Sequence, residues 1–462
     1  MNRIRGYLAG ALAAGLLIFA GCGTQTGSVV VQGKLVDVCG QPMAYKAVAV
    51  SGHDPVLTAE DGTFTVDGVQ VPYDVAIGNA YIMAMDYQEL PILVYKGLTS
   101  LEPVLVAKDA NARWDESCAH ATVNATLIPA DPETPLDDSY RNGMGLMLPP
   151  YYDADDFAYD AAGNVTLAFN PDLDPTATLL GVQWQRDATT YDATAFLGAK
   201  VETVTLADGE TQDVEMQLEP IDSRTLTVNV EYPDLYNLGD VMHRVTYEGS
   251  GLAIETARIS SRDANEDGTF TVIGPVGAGL GSQVLVDGAY GNELVLDGVD
   301  TEDLVGVFGW GGVWVNAPEG SDVVTARLPE PLVPVAPLQG AVITADTTFS
   351  WSGAAGTVYH AIFDVNQSGP DLTIEVVTTD TALSLPDLSG LGISYDNAWD
   401  LRWSMFGLGG DAFATNMDDL ATEEGIAPYM TLGGLEFVSL PGTQGYFYYV
   451  EAGDYDIGYV LK

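Results

Sequence analysis

The hexapeptide Asp61-Gly62-Thr63-Phe64-Thr65-Val66 returns letter for letter as Asp267-Gly268-Thr269-Phe270-Thr271-Val272. Ala162-Gly163-Asn164-Val165-Thr166-Leu167 is a weaker copy between them, and the glycines at 62, 163 and 268 recur at intervals of 101 and 105 residues. Each copy alternates small or polar residues with apolar ones, the period of a strand with one buried face. The Asp-Gly before it favours a tight hairpin, because glycine accepts positive φ. A second marker, Thr122-Val123-Asn124 and Thr227-Val228-Asn229, also repeats at 105 residues. A period near 100 residues is that of a domain array and exceeds the length of solenoid repeats. Each unit is expected to close on a similar strand and proline: Leu101-Glu102-Pro103, Val214 to Pro220, and Val324 to Pro329. The fold class is therefore all-β, a tandem array of β-sandwich domains. With 462 residues the chain has room for several such domains, each with its own core.

The first unit runs through Val29-Val30-Val31-Gln32-Gly33-Lys34-Leu35-Val36-Asp37, a turn at Cys39-Gly40-Gln41-Pro42, then Ala47-Val48-Ala49-Val50. The repeated hairpin and Pro72-Tyr73-Asp74-Val75-Ala76-Ile77 follow. These residues resemble the carboxypeptidase regulatory-like domain, a transthyretin-like β-sandwich. Gly33, Asp37, Gly40, Pro42, Asp61, Gly62, Phe64, Tyr73 and Val75 occupy the places of that family's pattern, with Leu35 standing for its Val. The resemblance covers about 80 residues and implies a non-catalytic companion module with no active site of its own. The expected boundaries are 29–117 for this sandwich, 118–221 for a diverged repeat with an acidic insertion around Asp131–Asp160, and 222–332 for a third copy.

Past the proline-rich join from Pro329 to Pro337 the pattern changes. Thr348-Phe349-Ser350-Trp351-Ser352, Val358-Tyr359-His360-Ala361-Ile362-Phe363 and Trp399-Asp400-Leu401-Arg402-Trp403 read as strands. Their Phe-x-Trp strand followed by a Tyr-containing strand resembles the fibronectin type III-like modules of bacterial surface proteins. Residues 333–462 are thus expected to form such a sandwich with a C-terminal extension.

At the other end, Arg3 and Arg5 precede an apolar run from Tyr7 to Phe19, the order of a secretory signal. Phe19-Ala20-Gly21-Cys22 resembles the bacterial lipobox, with Phe in place of the more usual Leu. That resemblance implies a signal peptide over 1–21, acylation of Cys22 and a lipidated tether over 22–28. Membrane attachment through N-terminal acyl chains is the implied partnership. Gly23 stands where an Asp would resemble an inner-membrane retention signal, so the outer membrane, on its periplasmic or surface face, is the expected location in a Gram-negative cell. Cys39 and Cys118, the two remaining cysteines, form one pair in an oxidising compartment. A disulfide between them is expected, and Cys118-Ala119-His120 lacks further ligands at zinc spacing.

Lys and Arg total 17 against 65 Asp and Glu, a net charge of −48. Such a field repels nucleic acid and anionic headgroups, so no nucleic-acid partner is expected. It attracts cations, and its self-repulsion is screened at high ionic strength. A saline setting, bound calcium or a plain solvated surface each agrees with it.

Asp263, Asn265 and Asp267, before Gly268, have the Asp-x-Asn-x-Asp-Gly spacing of a calcium loop, although position twelve is Gly274 where a bidentate Glu is wanted. The same residues also read as the repeated hairpin turn. Calcium is the only cofactor the sequence brings into view. Asp153, Asp155, Asp156 and Asp160 stand among Tyr151, Tyr152, Phe157 and Tyr159, either a solvated loop or a calcium or sugar contact. Trp310 and Trp314 would share one strand face. They are either sandwich core or a stacking platform for a glycan ligand.

Catalysis has little to draw on. His53, His120, His243 and His360 are dispersed, and neither Gly-x-Ser-x-Gly nor His-Glu-x-x-His occurs. The expected protein is non-catalytic: lipid-anchored at the cell envelope, binding an envelope or extracellular ligand through sandwiches laid end to end. A structural spacer of an envelope assembly is the alternative, and an envelope enzyme using a cleft between modules is the third.

Overall fold

The computed structural model describes residues 28–37, 40–82, 90–110, 121–134, 140–147, 164–169, 176–234, 236–247, 253–265, 267–291, 307–318, 320–337, 343–344, 346–352, 357–367, 371–395, 398–410, 415–422 and 444–452. Strands dominate them, as the alternating sequence predicts.

The first unit contains β1 (Val29–Val36), β2 (Ala47–Val50), β3 (Val56–Leu57), β4 (Thr63–Val69), β5 (Tyr73–Gly78), β6 (Ala80–Tyr81), β7 (Leu90–Leu98), β8 (Val104–Val106) and β9 (Lys108–Asp109). One sheet has the order β4-β1-β8, antiparallel then parallel, while β3-β2-β5-β7 forms the opposing layer. The second unit contains β10 (Ala121–Ile128), β11 (Tyr140–Met147), β12 (Asn164–Phe169), β13 (Thr176–Arg186), β14 (Ala193–Thr205), β15 (Thr211–Gln217) and β16 (Glu219–Pro220). Its sheets are β12-β10-β15 and β11-β13-β14-β16. The third contains β17 (Asp222–Glu231), β18 (Tyr236–Tyr247), β19 (Ala253–Ser260), β20 (Phe270–Val276), β21 (Leu280–Gly291), β22 (Val307–Asn316) and β23 (Val323–Arg327). Its layers are β20-β17-β23 and β19-β18-β21-β22. In all three the first strand lies between the repeated-hairpin strand and a parallel closing strand.

Register corrects two of the sequence markers. Val66, Leu167 and Val272 face Val31, Val123 and Leu226, whereas Phe64, Val165 and Phe270 face Gly33, Ala125 and Val228. Val123 is therefore equivalent to Leu226, and the two Thr-Val-Asn triplets are two residues out of step. Side chains alternate with period two, so a two-residue offset keeps the same face buried and hides the slip from a pattern search. The closing strand of the first unit also follows Pro103, as Val104–Val106, instead of ending on it.

The fourth unit contains β24 (Val333–Ala336), β25 (Thr348–Ser352), β26 (Val358–Gln367), β27 (Leu372–Thr378), β28 (Ala382–Ser384), β29 (Ala398–Gly410) and β30 (Gly445–Ala452), with one helical turn at Met417–Leu420. Its small sheet is β24-β25-β28, and its larger layer runs β30-β29-β26-β27. Phe349 packs edge-on against Phe363 and Trp403, at 4.9 and 5.5 Å between ring centroids, and Trp351 against Tyr359 at 5.3 Å. These rings form the core between its two layers.

The modules do not lie end to end. The larger layers of the third, fourth and first units join edge to edge into one twelve-stranded sheet, β19-β18-β21-β22-β30-β29-β26-β27-β7-β5-β2-β3. β22 pairs antiparallel with β30, and β27 pairs parallel with β7. The last module to be synthesised is thus the middle of the block. Every residue of β27 is buried, as expected of a strand paired on both edges and covered on both faces. One apolar cluster runs from Val31, Leu35 and Phe64 of the first unit through Val358 and Phe406 of the fourth to Met242, Leu285 and Trp314 of the third.

Candidate functional site

Asp61 and Asp267 build the same turn. In each, one carboxylate oxygen accepts from the backbone N–H and the hydroxyl of the threonine two residues on, at 3.1 and 2.7 Å. Those bonds hold both carboxyl groups below the usual aspartate range. Gly62 and Gly268 adopt φ of +77° and +79°, a conformation open to glycine at no steric cost. The Asn265 amide donates to the Thr269 and Thr271 hydroxyls at 3.0 and 3.1 Å. Asp263 ends a 3₁₀ turn over Ser261–Asp263. Asn265 and Asp267 of the calcium triad thus serve the hairpin. Among the described residues no group of three or more His, Cys, Asp or Glu is disposed to hold a metal ion.

Trp310 and Trp314 do share a face of β22, which is covered at Trp314 and half-buried at Trp310. Trp314 is fully buried and packs where Gly445 of β30 leaves room, which removes it as a ligand platform. Trp310 meets the ring of Phe447 edge-on at 5.2 Å and donates its indole N–H to Asp287. The two rings lock the third module to the fourth. Cys22, Cys39, Cys118, His120 and the acidic aromatic stretch from Tyr151 to Asp160 lie outside the described residues.

Open surface with shape occurs instead at the join of the first and fourth modules. There the 3₁₀ turn Ser389–Leu391 lies on β2, close enough that a side chain at Gly390 would press on the Ala49 methyl at 3.0 Å. On one side of the turn is a cavity of about 320 Å³ lined by Ser51, His53, Asp54, Asp74, Asp387 and Ser389, among others. Asp74 accepts from the Gly97 N–H at 2.9 Å, and Asp387 from the Ser389 N–H at 3.0 Å. Hydrogen bonds from Ser389 hold the Asp387 carboxyl below its ordinary range. On the other side lies a groove of about 570 Å³ walled by Tyr45, Leu57, Leu90, Pro91, Leu391 and Ile393, among others. Tyr45 is 69 % exposed and Leu57 66 %, large apolar area left in water beside a concave wall. Tyr45 also takes φ +59°, unusual for an aromatic residue. The Lys46 ammonium, 2.6 Å from Asp109, closes one end. The pair of depressions offers carboxylates and hydroxyls on one side and a ring with aliphatic walls on the other, the means of holding a hydroxyl-rich or amphipathic ligand.

His243 and Asp287, whose protonation burial displaces, lie elsewhere, in packed interior. Burial pushes the His243 imidazole down to about 3, and its Nδ1 pairs with the Thr256 hydroxyl at 2.7 Å. Burial likewise pushes Asp287 up to about 6, with the neighbouring Asp240 carboxylate adding to the rise and Arg258 opposing it. His360 Nε2 lies 3.0 Å from Glu375, whose carboxylate also accepts from the Ile82 N–H at 2.7 Å across the join between the fourth and first modules. None of these groups lines either depression.

No protein-family model matches the chain. No curated protein matches it either. Among solved structures, it overlaps the Bacillus anthracis TIE protein with a TM-score of 0.14 and 12 % identity over 65 % of this chain and 50 % of that one. The chain thus spans half the length of that protein. A Streptococcal ancillary pilin overlaps with a TM-score of 0.14 at 12 % identity, covering 65 % of this chain and 99 % of that one. BcpA, the major pilin subunit of Bacillus cereus, gives 0.13 at 9 %, covering 65 % and 98 %. Overlaps this loose carry no argument about what the chain does.

Sequence reading passes over Tyr45, Leu57 and Leu391 and takes His53 only as one of four dispersed histidines. The groove is made by residues more than 300 positions apart brought together by pairing of two strand edges, and no local period records that. Tyr45 and Asn79, which both line the groove, take positive φ, and φ is not visible in a sequence.

Proposed function

We propose that this is a non-catalytic, lipid-anchored cell-envelope protein that binds an extracellular or envelope ligand in the groove between its first and fourth modules. The groove beside exposed Tyr45 and Leu57 carries the reading: it is concave, partly apolar and flanked by hydrogen-bonding carboxylates. A glycan suits that combination, since sugars present apolar ring faces and hydroxyls together. His243 and Asp287, whose protonation burial displaces, are enclosed and lie away from it. Anchoring rests on the lipobox-like Phe19-Ala20-Gly21-Cys22, and placement at the outer membrane on the residue after it. The module limits read from the sequence stand with the reading. The repeated strand order supports carboxypeptidase regulatory-like sandwiches for the first three units. The β24-β25-β28 and β30-β29-β26-β27 layers support a fibronectin type III-like sandwich for the fourth.

The test uses the chain with Cys22→Ser, purified without its lipid and titrated with cell-envelope glycans by calorimetry. Saturable binding that Tyr45→Ala weakens roughly five-fold or more supports the groove, as loss of an aromatic anchor costs about 1–2 kcal/mol. Indifference to every glycan favours the second reading, a structural spacer. The continuous twelve-stranded sheet is the observation on that side.

A further inference from the structure

The C-terminal strand β30 fills a slot between two strands that otherwise do not meet. It pairs with β22 from Val307↔Ala452 to Trp314↔Gly445 and with β29 from Trp403↔Ala452 to Gly410↔Gly445. The slot is shaped for aromatic side chains. A Cβ at Gly312 of β22 would fall 2.2 Å from the Phe447 ring, and one at Gly409 of β29 would fall 2.3 Å from the Tyr446 ring. Gly445 returns the fit by making room for Trp314. Rings seated over glycines on both walls fix which residue lies where, so the slot selects a strand by its side chains as well as by its backbone.

We propose that this slot is a strand-acceptor site, and that a second copy of the chain can supply the strand that fills it. The strand is the kind that pairs readily: Gly445-Tyr446-Phe447-Tyr448-Tyr449-Val450-Glu451-Ala452 carries one charge in a chain with 65 acidic residues. Without it, β22 and β29 are both bare sheet edges. Residues 423–444 connect it to the helical turn at Met417–Leu420, and 22 residues reach roughly 70 Å when extended. The slot walls stand only about 10 Å apart, two strand spacings. The connection therefore does not oblige the strand to remain with its own slot, and reciprocal exchange gives a closed two-fold pair. The net charge of −48 makes two copies repel, so exchange is expected to increase as salt screens that repulsion.

Ser404 and Glu451 are ladder partners across β29 and β30. Full-length chains carrying Ser404→Cys alone and Glu451→Cys alone are mixed at high concentration in low and high salt, then oxidised. Any disulfide mapped between positions 404 and 451 joins two copies. The double variant in one chain is the control, since it links within the chain if the register is right. The expected result is the control link together with an inter-chain 404–451 link that grows with salt. A control link with no inter-chain product at any concentration or salt overturns the exchange. Absence of the control link overturns the slot itself.

Discussion

Asp287 and His243 make the stability of the third module depend on pH in opposite senses. Asp287 is raised to about 6 from 3.8, so the folded state holds its proton more tightly than the unfolded chain does. Its contribution is most favourable below pH 4 and is lost as pH rises through 6. Asp287→Asn should therefore stabilise the protein at pH 7.5, by up to about 3 kcal/mol, and the gain should vanish near pH 4. His243 is depressed from 6.5 to about 3, so the unfolded chain binds the proton first as pH falls. Its favourable neutral state is fully present above pH 6.5 and is eroded on the way to pH 3, by about 2 kcal/mol at pH 5. Denaturant titrations of the native chain, Asp287→Asn and His243→Asn across that range separate the two effects. At this scale the sequence is informative where a residue acts on its near neighbours. The Asp-Gly-Thr turn was readable because Asp61 and Asp267 bond threonines two positions away. The burial of Asp287 and His243 depends on strands far along the chain and left no local mark.

Strands are legible for the same reason: alternation is a local property with a buried face as its cause. Pattern alone places Phe349-Ser350-Trp351 and the closing strands of the second and third units. Which edges then pair is decided by complementary surfaces, and the pairing gives Trp314 the core place that the sequence offers as one of two alternatives. Its strand is an inner strand because Gly312 and Gly445 let aromatic side chains interdigitate across the seam. Gly312→Leu should cost about 1–3 kcal/mol by overpacking against Phe447 and should expose residues 445–452 to limited proteolysis. At the opposite seam, Glu375 is fully buried between His360 and the Ile82 N–H. Glu375→Ala leaves both partners buried without it and should cost about 3–5 kcal/mol in urea unfolding. Glu375→Gln keeps an acceptor for the Ile82 N–H and should cost less.

For the whole molecule, the four units fold as a block in which the fourth is held between the third and the first. A tandem sequence read by length and period leads to beads on a line, because the edge pairing of β27 with β7 joins residues about 280 positions apart and has no sequence period. The block also bears on its acidity. A net charge of −48 on fused modules should make the melting temperature rise with sodium chloride as repulsion is screened. Calcium chloride at matched ionic strength should add nothing further, given the turn bonds that occupy Asn265 and Asp267. A large extra rise in calcium would restore the Asp263–Asp267 loop as a cation site.

The most direct test of the block is chemical. Lys96 of the first module lies 3.9 Å from Asp380 of the fourth, beside the β7–β27 seam. A zero-length carbodiimide cross-linker applied to the dilute full-length chain should join Lys96 to Asp380 within one molecule, identified as a linked peptide pair by mass spectrometry. Lys96 linked only to carboxylates of residues 29–117 would contradict the account and return the modules to a line.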